Sequence, residues 1–300
     1  MKSNGNITRI LSIDGGGIRG IVPAVVLSHL EETLQHLSGN PAARIADYFD
    51  LFAGASTGSM IVAGLLAPDK NNRPTYSAKE IIELYFDNAE IIFQDSLLQD
   101  IKSVAGLLNV KYSAEGIESV FQQHFPKTEL KNLLKPTLIP VYDLTRGKNY
   151  FFRQQKAQVS ARHNYFLKDA LRSATSAITY FPPVQISTVD NSRQRCFIDG
   201  GIFANNPALS AYAEFRYHNP KLHAKDTMML SLGTGKQGTH LDCDSTQNWG
   251  ALEWREPAGN LFANAVADAS HYQLSAVYDK KPNYLRLNTF FSDTDKSSLD

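Results

Sequence analysis

The chain has 300 residues, 43% apolar and 20% charged, which suits a buried core and excludes general disorder. Lys plus Arg and Asp plus Glu number 30 each, so no net field draws the protein to a nucleic acid polymer or an anionic surface. Two cysteines, Cys196 and Cys243, without CxxC or Cys/His ligand spacing, argue against a disulfide framework and a zinc site. No metal or other cofactor is expected. The polar start Met1–Asn6 and the short, interrupted run Ile7–Ile13 do not make a signal-peptide core. Stretches such as Met60–Ala67 fall far below the roughly 18 apolar residues of a membrane span. The expected location is cytoplasmic, with peripheral membrane association and leaderless export left open.

No repeat or linker divides the chain, and strand-like and helix-like segments alternate, which predicts a mostly parallel sheet covered by helices. Thr8–Ile13 reads as the first strand and runs into a glycine cluster. A helix follows from Ile21, with Pro23 in its first turn and Val26, Leu27, Leu30, Leu34 and Leu37 at helical spacing. Phe49–Ala53 reads as a buried strand and Ser56–Leu66 as a helix stopped by Pro68. Ser77-Ala78-Lys79-Glu80 is a capping box opening a helix to Phe93. Asp95–Asn109 carries an apolar face at helical spacing, suited to core packing or to a lid or interfacial helix. Thr137–Leu144 and Asn149–Arg153 flank Thr145-Arg146-Gly147-Lys148 as a hairpin. Leu167–Ser176 reads as a helix, Val184–Val189 and Arg195–Ile198 as strands, and Pro207–His218 as a helix. Met228–Leu232 reads as a strand and Asn260–Tyr278 as a long helix.

Three constellations carry chemistry. Gly54-Ala55-Ser56-Thr57-Gly58 is a GxSxG sequence between a strand and a helix, where a tight turn pushes the serine hydroxyl beyond the sheet's end. The helix start beneath it offers donors to a developing oxyanion. The plainer reading is a small-residue turn with Ser56 as helix cap. Asp14-Gly15-Gly16-Gly17-Ile18-Arg19-Gly20 follows the first strand and fits GxGxxG, a nest for a pyrophosphate or for the oxyanion of an acyl intermediate. The dinucleotide reading also wants an acid at the end of the second strand, and Asp50 lies at that strand's start. Asp199-Gly200-Gly201 leaves an apolar strand with little to obstruct its carboxylate, although Asp-Gly is also a common turn pair.

In their order and wording these motifs resemble the patatin-like phospholipase family: DGGGIRG at Asp14–Gly20, GASTG at Gly54–Gly58 and DGG at Asp199–Gly201. Arg172–Ala177 followed by Tyr180-Phe181-Pro182, Asn205-Asn206-Pro207, and Ser231–Gly235 extend the likeness, which runs from Arg9 to Leu287. The resemblance implies a three-layer α/β patatin-like fold filling residues 1–300 as a single domain of a short, bacterial-type member. It implies lipid acyl hydrolysis by a Ser–Asp dyad without histidine. Ser56 would be the nucleophile, Asp199 the general base, and backbone N–H groups of Gly15, Gly16 and Gly17 the oxyanion hole. Arg19 would order that loop. The chain departs from the family at Ala55, where Thr is commoner, and at Ile178-Thr179, where a proline-containing pair is usual. It also ends about where relatives continue into more helix, so a shortened C-terminus is expected.

The resemblance further implies a membrane phospholipid or lysophospholipid substrate and transient contact with the membrane surface. Some short bacterial relatives are effectors held inactive until a partner or a small cyclic nucleotide binds, so an activating partner of that kind is open here. Within hydrolases the rival is a Ser–His–Asp triad. His218, His223, His240 and His271 all follow Asp199 in the order such a triad needs, but none has a recognisable catalytic setting. Two other classes compete. An acyltransferase would pass the same Ser-bound acyl group to an alcohol or thiol, and a nucleotide-binding module would use the glycine loop and leave Ser56 structural.

Overall fold

The computed structural model describes residues 7–93, 113–178, 180–237, 241–279 and 282–291. Its centre is an eight-stranded mixed sheet. The strands are β1 (Thr8–Ile13), β2 (Leu51–Gly54), β3 (Thr137–Asp143), β4 (Lys148–Arg153), β5 (Val184–Ser187), β6 (Gln194–Asp199), β7 (Thr227–Leu232) and, after the two-residue β8 (Lys236–Gln237), β9 (Tyr284–Leu287). β8 pairs outside this sheet, with β10 (Phe290–Phe291). β3, β2, β1, β7 and β9 run parallel, while β4 and β6 pair antiparallel with β3, and β5 antiparallel with β6. The fold is α/β with a mostly parallel sheet flanked by helices, as the alternation of segments predicts.

The strands alternate between two cores, as side chains on a pleated strand must. Leu11 and Ile13 of β1, Phe52 of β2, and Ile139 and Val141 of β3 enter one core, beneath the helices Ile21–Ser38, Thr57–Leu66, Ala78–Phe93, Ala114–His124 and Leu167–Ala174. Ile10, Leu51, Ala53 and Leu138 enter the other, beneath Ala208–His218 and Ala251–Val277. Strands buried on both faces explain why β1 and β2 read as near-continuous apolar runs.

One feature of the register positions the site. Leu138 of β3 pairs with Arg153 of β4 on one side and Ala53 of β2 on the other, and Val141 pairs with Tyr150 of β4 and Asp199 of β6. A strand has two edges and β4 fills one of them, so β2 and β6 lie end to end along the other. β2 arrives parallel and stops at Gly54; β6 arrives antiparallel and stops at Asp199. Their C-terminal ends meet halfway along β3.

The predicted hairpin is β3–β4, and the capping box is present, with Glu80 N–H donating to Ser77 Oγ and Ser77 N–H to the Glu80 carboxylate. Several boundaries differ from expectation: the helix from Leu167 ends at Ala174 and not at Ser176, and the strand from Val184 ends at Ser187 and not at Val189. The second strand starts at Leu51 and not at Phe49, because Ile45–Tyr48 forms a short helix and Asp50 turns its carboxylate onto the Arg9 amide. The long C-terminal helix starts at Ala251, with Gly250 N–H on the Glu253 carboxylate, and contains Pro257, which reads in sequence as a stop. The helix Ala114–His124 and strand β9 are not among the predicted elements, and the apolar segment Asp95–Asn109 lies outside the described residues. Among the described residues, no helix is long and apolar enough to cross a membrane.

The helix after β2 packs so closely on β1 that a Cβ on Gly58 would lie 2.4 Å from the Ile13 carbonyl oxygen and 2.8 Å from that of Asp14. Both are backbone atoms of a central strand and its exit. Gly58→Ala is therefore expected to cost about 2–3 kcal/mol of stability in urea unfolding. Gly259→Ala, in an exposed helical stretch with nothing within 4 Å, should instead add about 0.5–1 kcal/mol.

Candidate active site

The chain leaves β2 through Ala55 and enters the helix Thr57–Leu66 by way of Ser56, whose φ of 48° and ψ of −122° are strained for a residue with a Cβ. The turn is tight on every side. Ala55 N–H donates to Ile13 O at 3.1 Å, and a Cβ on Gly54 would lie 2.3 Å from Gly58 O. The two outer glycines are thus required by sterics and not only by flexibility. Ser56 stands at the cap position, yet its side chain makes no capping hydrogen bond. The plain reading of Ser56 as a helix cap therefore fails on geometry.

The hydroxyl instead lies beside the Asp199 carboxylate, near enough to pull its pKa down. Asp199 is the last residue of β6 and is 4% exposed. Its own N–H donates to Ser176 O at 3.0 Å, which fixes the strand end against the segment after the helix Leu167–Ala174. The buried Arg172 ties that segment down by donating to Ser176 Oγ at 2.6 Å and to Pro182 O at 3.1 Å. Gly201 N–H donates to Asp199 Oδ1 at 2.7 Å. Burial pushes the Asp199 carboxyl up to about 6, against the opposing pull of the nearby Ser56 hydroxyl and of the Gly201 N–H.

The glycine loop leaves β1 beside this pair. A Cβ on Gly15 would lie 3.0 Å from Ser56 Cβ, so only a glycine lets the loop approach the serine. Gly15 N–H donates to Asn205 O at 3.0 Å, which removes it from the donors a ligand could use. Gly16 and Gly17 are part-exposed, and among the described residues no acceptor is recorded for their N–H groups. The Gly16 carbonyl accepts from Arg19 twice, from N–H at 3.2 Å and from Nε at 3.4 Å. Arg19 thus holds the loop's turn, while among the described residues the amides of Gly16, Gly17 and Ile18 have no backbone acceptor.

A model of the family described as patatin-like phospholipase matches residues 11–212. Patatin-like protein 2 of Arabidopsis thaliana is 34% identical over 99% of this chain and 79% of its own length. The chain belongs to the patatin-like phospholipase family. The Solanum tuberosum protein named probable inactive patatin-3-Kuras 1 is 33% identical over 94% of this chain and 79% of its own. Both relatives are plant proteins, so the bacterial-type qualifier gains no support from them. Among solved structures, VipD from Legionella pneumophila aligns with 97% of this chain and 64% of its own, at 14% identity and a TM-score of 0.38.

Within this patatin-like frame the histidines proposed for a triad are engaged elsewhere. His218 faces Glu214 at 3.2 Å, His223 Nδ1 faces Arg216 at 2.8 Å, and His271 Nδ1 faces Tyr284 Oη at 3.0 Å. His240 lies outside the described residues. Asp50, bonded to Arg9, is not placed to read a ribose. Among the described residues, no group of three or more His, Cys, Asp or Glu side chains is gathered for a metal. Two residues at the loop escape sequence reading. Arg286 of β9 makes a two-pronged ion pair with the buried Asp14, and Thr234 Oγ1 donates to Gly15 O at 2.7 Å. Thr234 lies in a stretch already matched by wording, but nothing in sequence points to its hydroxyl. Arg286 gives no signal at all.

The Asp199 shift sets a stability cost. Its folded value of about 6 exceeds the unfolded one, so the folded chain binds the proton more tightly. The resulting stabilisation is present below about pH 4 and is lost as pH rises through about 6. Asp199→Asn is expected to raise unfolding free energy at pH 7.5 by about 1–3 kcal/mol, an advantage that shrinks to near zero by pH 4. Urea titrations at the two pH values measure it.

Proposed function

We propose that the protein is a lipid acyl hydrolase of the phospholipase A or lysophospholipase type, using Ser56 as nucleophile and Asp199 as its only base. Family membership supports lipid ester hydrolysis in the broad sense. One relative bears the name probable inactive, so the reading must rest on this chain's own residues. The observation that carries it is a strained serine whose hydroxyl does not cap its helix and lies beside a buried carboxylate raised to about 6.

The chemistry follows from that pairing. As Ser56 Oγ attacks the ester carbonyl carbon, its proton passes to Asp199, and the carbonyl oxygen becomes an oxyanion facing the Gly16 and Gly17 amides. Donors aimed where charge develops stabilise the transition state more than the bound ester. Asp199, now a carboxylic acid, returns the proton to the departing alkoxide, leaving an acyl-Ser56 ester. Water then attacks that ester with Asp199 again as base, the acyl–Oγ bond breaks as Asp199 returns the proton to Ser56 Oγ, and the fatty acid leaves. Raising the carboxyl toward neutrality suits both duties, since it strengthens the base while leaving it ionised at pH 7. With no net charge to attract anionic lipid, contact with a phospholipid surface would rest on apolar side chains.

Fatty acid release from phosphatidylcholine vesicles tests the reading. Ser56→Ala and Asp199→Ala should each reduce turnover on the order of a thousandfold or more, and the double variant should be little worse, because the two act as a unit. Losses that multiply, or acyl groups appearing on an added alcohol in place of free fatty acid, would displace this assignment. A second expectation concerns pH. The profile of kcat/KM should have an acid limb near pH 6, where Asp199 takes up its proton, and the residual turnover of Asp199→Asn should lack that limb.

A further inference from the structure

We infer that Thr234 is a positioning residue for the oxyanion donors, acting through the Gly15 peptide; this rests on the hydrolase reading above. Gly15 is held through the peptide groups on both sides of it. Its N–H donates to Asn205 O at 3.0 Å, and its carbonyl accepts from Thr234 Oγ1 at 2.7 Å and from Asn205 Nδ2 at 3.4 Å. Gly15 C=O belongs to the same peptide plane as Gly16 N–H, and a peptide plane turns as one body. A bond that fixes the carbonyl therefore fixes the direction of the Gly16 amide on its opposite side.

Thr234 is well placed to hold that direction. It is 4% exposed and follows β7 by two residues, in a segment anchored by Gly233 N–H on Leu287 O and Gly235 N–H on Asn288 Oδ1. A Cβ on Gly16 would lie 2.2 Å from Thr234 Oγ1, so the side chain also backs the loop sterically. The hydroxyl's hydrogen bond goes to the loop and not to Ser56 or Asp199. Asn205 carries a further consequence. It closes the segment that starts at Asp199, so the base and the oxyanion loop are tied by one residue and keep their spacing.

The test separates positioning from support. Thr234→Ser keeps the hydroxyl, Thr234→Ala removes it with no added bulk, and Thr234→Val puts a methyl where the oxygen was. Hydrolysis of a short-chain p-nitrophenyl ester and the rate of Ser56 labelling by a fluorophosphonate are measured alongside melting temperature. The Ala and Val variants should lose about tenfold to a hundredfold in kcat with KM within about twofold, in line with misdirecting an oxyanion donor. Labelling should slow in parallel, and Ser should stay within about threefold of wild type. If the Val variant melts, the Ala variant decides. Wild-type kcat in Thr234→Ala, a loss seen only in KM, or a Ser variant as impaired as Ala would each overturn the inference. Wild-type protein that neither hydrolyses the ester nor is labelled at Ser56 would instead defeat the underlying hydrolase reading.

Discussion

β2 is only four residues long, and the edge of β3 beyond it is taken by a strand running the other way. Two strands meeting head-on along one partner cannot both continue, so each must turn out of the sheet at the same place. One leaves as the elbow bearing Ser56 and the other as the Asp199-Gly200-Gly201 turn. Residues distant in the chain are brought together by hydrogen-bond register, and not by loops that happen to reach each other. A site built on strand ends inherits the rigidity of the sheet, which a serine and a carboxylate need to stay within bonding distance.

Around that meeting point the packing leaves no slack. Gly58 sits on the Ile13 carbonyl, Gly15 on Ser56, and Gly16 on Thr234. Strain and burial are concentrated here as well, with a serine at positive φ and a carboxylate held away from water. Neither would persist unless the surrounding core over-determined it, and the two apolar layers on either side of β1, β2 and β3 provide that excess. The same features that weaken the fold locally are those the proposed chemistry uses.

The central parallel strands and the elbow were legible in sequence for one reason. Short apolar runs ending in glycine have few alternatives, and β1 is found at Thr8–Ile13, as that pattern predicts. The long helix was harder, because Pro257 and Gly259 speak locally for a break while packing against β9 and the second core favours continuation. The approach of Asp199 to Ser56 could not be read from spacing, since it depends on which edge of β3 each strand takes. Only the wording of the motifs pointed to it. The engagement of the Gly15 amide by Asn205 was likewise invisible, for a glycine's letter does not say whether its N–H is free.

The ion pair between Asp14 and Arg286 joins positions 272 apart in the chain. During synthesis the serine elbow and the aspartate strand leave the ribosome long before Arg286 does, and so does the whole stretch matched by the family model. Until β9 arrives, Asp14 is a carboxylate at the exit of a central strand with no cation to meet it, and the loop beyond lacks its far anchor. The nascent protein thus carries both halves of the proposed reactive pair without the finished cradle beside them. Chain order alone delays the finished cradle until β9 has been made.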